Sequence, residues 1–438
     1  MRTFFIVWLG QTVSIIGSGM TSFAFTIWVW ELTGQATALT LFGFFSQVPQ
    51  ILIAPLAGVI VDRWSRKYLI MLGDTLSGLL TITVLVLCLT HYLHLWHLYV
   101  VVTVMGTFEQ FQKLAYSASM SLMVSKKQYS RISSMSFLAN YGSIIIAPAL
   151  AGSLYIMIGL VGILIIDIIS FAIAVSTVLW VRIPQPSMTE VNSQSHTNIQ
   201  QDLSFGLRYI AARPSLIAML VSISLFWFAY DIGNSLYSPM ILARSGNDAS
   251  LLGSLASAAG IGGIAGALLV SSWGGFKRQI HGMLLGMVGT GLIKTLFGVG
   301  MIPLIWISTQ FCSSLTYPLL GSSSDTIWLS KVRPNLQGRV FAMRSVITLL
   351  TSATAYLLAG PLADYVFEPA MMPGGSLAPL LGRIFGTGKG AGMALLYVIS
   401  ALGLLLVGLS GYAFRTLRDV EMILPDHDAS AGSSDGGV

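Results

Sequence analysis

Glu109 and Lys113 sit four residues apart in an otherwise apolar run, within GTFEQFQKLAY. On a helix that spacing puts both on one face, acid first, the favourable order for an ion pair. A lone charge is expensive away from water, so the two must face a cavity or the interior of a helical bundle. Two chemistries fit. Either the pair is a fixed structural bridge, or Glu109 takes up a proton or a cationic group and Lys113 balances its charge until a conformational change separates them. Gln112, with Gln110, adds amide groups to the same region. A second acid, Asp231, lies in FWFAYDIGNSLY beside Asn234 and several aromatic rings. The rings alone suit a lipid-facing belt, whereas Asp231 needs a polar surrounding such as a cavity wall. Asp167 and Lys294 also fall inside apolar runs, and Asp74, Asp325, Arg344 and Asp364 near the ends of such runs.

A denser charge cluster is GVIVDRWSRK, residues 58–67. Gly58 lets two helices approach where a side chain would intervene. Asp62 can accept hydrogen bonds from the free N–H groups that open a later helix near Gln337–Arg339. Arg63, Arg66 and Lys67 can pair with nearby acids, Asp74 among them. Together these groups suit a conformational latch; read plainly, the three bases only fix which side of a membrane the loop occupies. Arg131 and Arg339 each open an apolar run, where an interdomain contact and snorkelling to anionic lipid are both open. His91, His94 and His97 have a spacing that binds metal weakly on a short helix, but they suit an interfacial loop better. Cys88 and Cys312 read as small apolar residues. No metal or other cofactor is called for. There is no Walker motif for ATP hydrolysis and no basic aromatic tract for nucleic acid.

The elements that must hold these residues follow from composition. Only 9% of the 438 residues are charged and 54% are hydrophobic, with a mean hydropathy of +0.78. A soluble chain of this length would carry about a quarter charged residues. Twelve apolar runs, each long enough to cross about 30 Å of hydrocarbon, give an all-α polytopic membrane protein. The expected spans are roughly 4–30, 39–61, 68–89, 95–122, 131–154, 157–181, 214–241, 250–272, 280–298, 301–325, 338–362 and 390–414. Of the 23 lysines and arginines, seventeen fall on one side of these spans, three on the other and three within them. The asymmetry makes the first side cytoplasmic and puts both termini there. The polar stretch 182–213 reads as a cytoplasmic linker between two six-span halves, 1–181 and 214–414, with a disordered tail over 415–438. The Gly- and Pro-rich segment 366–389 reads as an extracellular loop. Shifting the chain by 208 residues lays Gly58 on Gly266, Arg131 on Arg339 and Gly152 on Gly360, a weak internal repeat that also matches in span number.

With those residues in place, the chain resembles the major facilitator superfamily of transporters. GVIVDRWSRK is similar to its signature loop between spans two and three, with Ser65 where Gly is usual. The second-half counterpart GALLVSSWGGFKR has Val270 in place of the acid, and GSIIIAPALAG has Ala147 at one Gly of the antiporter motif. IWLSKVRPNLQGRVFAMRS, AGPLAD and VFEPAMMPGG look like the bacterial branch of macrolide-efflux and siderophore-export proteins. The resemblance implies two six-helix halves that rock around a central site. It also implies secondary active export of a small amphipathic drug, siderophore or secondary metabolite, with protons as the coupling ion, membrane lipid as the surrounding, a functional monomer and a place in the bacterial cytoplasmic membrane. Uptake or lipid-related movement by the same fold is the alternative within transport. A non-transporting sensor or scaffold is the alternative outside it.

Overall fold

In hydrocarbon every backbone N–H and C=O must be paired within the chain, which leaves helices as the spanning structure for a sequence of continuous apolar runs. The computed structural model describes residues 2–123, 129–181 and 199–424, and among them helices are the regular structure throughout. The long ones are α1 (Arg2–Thr33), α2 (Ala36–Arg63), α3 (Arg66–Leu89), α4 (Leu95–Met123), α5 (Tyr129–Trp180), α7 (Pro214–Ser245), α8 (Ala249–Trp273), α9 (Gln279–Val299), α10 (Pro303–Lys331), α11 (Pro334–Leu362) and α14 (Ala391–Ala413). Shorter ones are α6 (Ile199–Ala211), α12 (Glu368–Met371), α13 (Ala378–Phe385), α15 (Arg415–Arg418) and α16 (Val420–Ile423).

Eight segments among the described residues are long and apolar enough to cross a membrane. One of them, Gly142–Trp180, has 39 residues. At 1.5 Å per residue it would be about 58 Å long, twice the hydrocarbon thickness. It is broken at Gly159, whose φ of 61° and ψ of −169° are non-helical, so α5 is two spans joined at a glycine. The expected boundary between 154 and 157 falls beside that break. The polar content of α4 and α10 keeps them below a purely apolar span. Large side chains such as Trp180, Met157 and Ile156 point away from the protein, as they should where the surrounding solvent is lipid.

The chain forms two compact units. One is Met1–Gln194 with Ile241–Gly260; the other is Ser195–Met240 with Ile261–Val438. In the first, α1 packs along α5, α2 along α4, and α3 against both α4 and α5. The inserted piece 241–260 belongs here because its backbone reaches α5 directly. A side chain on Gly253 would strike the Pro148 carbonyl, one on Gly152 would strike that of Ala249, and Ser257 Oγ donates to Ile145 O at 2.8 Å. In the second unit, α9 packs on α10 and α14, and α6 lies on α11.

Two polar stretches differ from their expectation. The end of the 182–213 connection is helix α6, amphipathic enough to dock, with Gly206 against the Arg339 carbonyl. The segment from 415, expected to begin a disordered tail, continues as α15 and α16 up to residue 424. Glu421 accepts from Gln279 N at 3.1 Å and Ile280 N at 3.0 Å, capping α9. Lys331 Nζ donates to Glu421 O at 2.8 Å and Leu424 O at 2.5 Å. Glu368 caps α14 in the same manner, through Gly390 N at 2.9 Å and Met393 N at 3.1 Å.

Candidate transport site

In α4, Lys113 Nζ lies 2.9 Å from Glu109 Oε1, and the two side chains are 58% and 47% exposed. Gln50 of α2 donates to the other carboxyl oxygen, Oε2, at 3.2 Å. The approach of α2 is possible because residue 106 is glycine: a side chain there would meet the Ser46 carbonyl. The ion pair therefore stands on an open face of the first unit, with one neutral donor from the next helix.

Gln112 points elsewhere. Its Nε2 donates to Asp74 Oδ1 at 2.6 Å and to Gln11 Oε1 at 3.1 Å, while Gln11 Nε2 donates to Asp74 Oδ2 at 2.8 Å. Asp74, only 3% exposed, is thus held among α1, α3 and α4 by neutral amides. Gln112 reaches toward α1 and α3 while Glu109 reaches toward α2, so the two polar groups that the sequence placed together are separate centres. Asp74 itself, which the sequence placed near a span end, is interior. The missed signal was a match of three mid-run polar residues, Gln11, Asp74 and Gln112, on helices whose adjacency no spacing reveals.

In the second unit Asp231 and Lys294 each have neutral partners. Asp231 of α7 is buried and accepts a short hydrogen bond from Ser352 of α11. Asn234 is exposed, 3.5 Å from the Tyr230 hydroxyl. Lys294 of α9 is buried; its Nζ donates to Tyr397 Oη at 3.1 Å and lies 5.0 Å from the centre of the Tyr230 ring. Aromatic faces attract a cation in this way. Arg344 pairs with Asp325 at 3.0 Å, tying α11 to α10.

Of the latch candidates, Lys67 donates to Leu179 O at 3.2 Å and Val181 O at 2.7 Å, the free carbonyls ending α5. Arg339 stacks over Phe205 of α6, 5.4 Å from the ring centre. Gly58, Asp62, Arg63, Arg66 and Arg131 lie on helices, but their side chains fall outside the described residues. In the histidine loop, His97 Nδ1 accepts from His94 N at 3.0 Å, which caps the start of α4.

Charged and amide groups carried on long apolar helices in two units are the build of a multi-pass membrane transporter. The sequence matches the profile of the Major Facilitator Superfamily over residues 7–356, and the chain belongs to that superfamily. It is a transporter and not an enzyme. Macrolide efflux protein A of Streptococcus pyogenes is 25% identical over 366 residues, covering 83% of this chain and 90% of that protein. The protein of that name from Enterococcus faecalis is 24% identical, over 73% of this chain and 98% of its own length. Among solved structures, an inward-facing bacterial homologue of the lysosomal transporter Spinster superposes with a TM-score of 0.66 at 14% identity. It covers 93% of this chain and 97% of that one. A bacterial homologue of the iron transporter ferroportin gives 0.65 at 13% identity, with the same 93% and 97% coverage. At such identities these likenesses concern the fold alone.

Proposed function

We propose that the protein is a secondary active exporter that uses inward proton movement to expel a small amphipathic molecule: a macrolide, a siderophore or another secondary metabolite. The observation that carries export is the near full-length similarity to macrolide efflux proteins. The two units would alternate access to a substrate site, with both termini cytoplasmic and a single chain as the working form.

Glu109 is the proposed proton site. It is the intramembrane acid with an open face, a cation four residues away and a neutral donor in Gln50 that fits either state of the carboxyl. Lys113 would balance it, and Asp231 with Asn234 would serve the second unit. Asp62, with Gly58, Arg63, Arg66, Arg131 and Arg339, remains the proposed latch on the cytoplasmic side; Lys67 joins it through the end of α5. Macrolide accumulation in a susceptible bacterium tests the export reading. Expression of the wild-type chain should lower it, and a protonophore should restore it. Equal accumulation with and without the chain, across macrolides, siderophores and other amphipathic metabolites, would contradict export.

A further inference from the structure

Asp167 lies in the second half of α5, facing α1 and α3, and is 3% exposed. No basic side chain of the described residues pairs with it. Its surroundings are hydroxyls. Ser18 Oγ is 3.2 Å from Oδ1, Ser170 Oγ 3.5 Å from Oδ1, and Thr81 Oγ1 3.2 Å from Oδ2. A hydroxyl donating to an ionised carboxylate closes to about 2.5–2.7 Å, so all three are long.

Two of these hydroxyls also have a backbone acceptor, closer than the carboxylate. Thr81 Oγ1 donates to Ser77 O at 3.0 Å, and Ser170 Oγ to the Asp167 carbonyl at 2.8 Å. Each has a single proton, shared between that carbonyl and the carboxylate, so neither is a full donor to Asp167. Thr21 adds a fourth oxygen: it is 1% exposed, and its hydroxyl is turned to the same carboxyl without reaching a close hydrogen bond. A buried carboxylate that has only shared or long hydroxyl donors and no basic partner keeps a negative charge that a cation among these oxygens would neutralise.

The donor set identifies that cation. It is all oxygen, the preference of hard cations. One carboxylate neutralises one positive charge, whereas a divalent ion would leave a net charge in low dielectric. Oxygens at 2.3–2.6 Å from a common ion and at right angles to one another stand about 3.3–3.7 Å apart, close to the spacing here. Gly17 completes the enclosure: a side chain on it would run into Ser170 and Asp167, so the α1 backbone itself closes the space.

We infer that Asp167, Ser18, Thr21, Thr81 and Ser170 form a binding site for one sodium ion inside the first unit. The ion joins α1, α3 and α5 at a single point. The inference stands apart from the export reading, because sodium binding needs no substrate. The test uses the purified full-length chain in detergent at fixed pH and ionic strength, with NaCl exchanged for KCl or choline chloride. Thermal unfolding is followed by tryptophan fluorescence, and binding by radioactive sodium. Sodium should raise the melting temperature saturably, potassium and choline should not, and one sodium should bind per chain. Asp167→Asn should abolish the response. Thr81→Val and Ser170→Ala should raise the half-saturating sodium about tenfold or more, as loss of supporting contacts does in other metal sites; they decide the matter if Asp167→Asn does not accumulate. No sodium-specific stabilisation or binding in the wild type would overturn the site. So would an unchanged response in Thr81→Val and Ser170→Ala, or stability that follows pH and ignores sodium, which would place a proton on Asp167.

Discussion

Glu109 and Asp74 are both intramembrane acids within reach of α4, yet their settings differ in the property that decides their roles. Glu109 is half exposed and paired with a cation; Asp74 is buried and held by two amides. An exposed ion pair contributes about 0–1 kcal/mol to stability. Glu109→Gln and Lys113→Ala should therefore accumulate and melt close to wild type, while Glu109→Gln loses gradient-driven transport. Protein level and melting temperature in detergent check the first part; a large drop in either would make the pair a structural bridge. Asp74→Asn should act the other way. Gln11 and Gln112 both donate to the carboxylate, and an asparagine would turn its NH2 against one of them. Loss of that bond costs about 1–3 kcal/mol, readable as a lowered melting temperature. An unchanged one would show that the amides are free to turn over. At this scale the sequence revealed which residues were out of place in an apolar run. The i,i+4 spacing was enough to read the Glu109–Lys113 pair, because it lies on one helix. Asp74 and Asp167 depend on three helices meeting, and no local pattern encodes that.

The elements show the same division between local and distant causes. The break at Gly159 was legible as a span boundary, since the apolar run around it is too long for one crossing. Helix α6 was not: its polar residues gave it the composition of a linker, and only its docking on α11 makes it structure. The end of the chain before residue 425 was misread for the same reason. Its anchor is Glu421 on the free N–H groups of α9, a contact across 141 residues. Removing a helix cap costs about 1 kcal/mol, so Glu421→Ala should lower thermal stability measurably and leave transport per folded molecule intact. An effect on transport without one on melting would point to a role beyond capping. Gly253→Leu should be more severe, because a side chain there meets the Pro148 backbone. Without close backbone approach the packing that joins helices in lipid is lost, and the variant should fail to accumulate; normal accumulation would show that α8 has room to shift.

For the whole molecule, hydropathy and the resemblance led to the superfamily, and the family match agrees along most of the chain. The two compact units follow chain order except at 241–260, whose place in the first unit rests on glycine contacts that no hydropathy profile shows. The lysine and arginine asymmetry predicts that both termini are cytoplasmic. Single cysteines at Ser433 and in the His91–His97 loop should label from opposite sides in intact cells, and equal external labelling of both would reverse that reading. The central claim is that proton movement through this chain drives export. Its most direct test is pH-gradient-driven uptake of a labelled macrolide into inside-out proteoliposomes, comparing the wild-type chain with Glu109→Gln. Accumulation by the wild type that collapses with the gradient, together with loss of accumulation but retained macrolide binding in Glu109→Gln, is the predicted result. Macrolide accumulation that ignores the gradient, or an equal pH response in both proteins, would contradict the account.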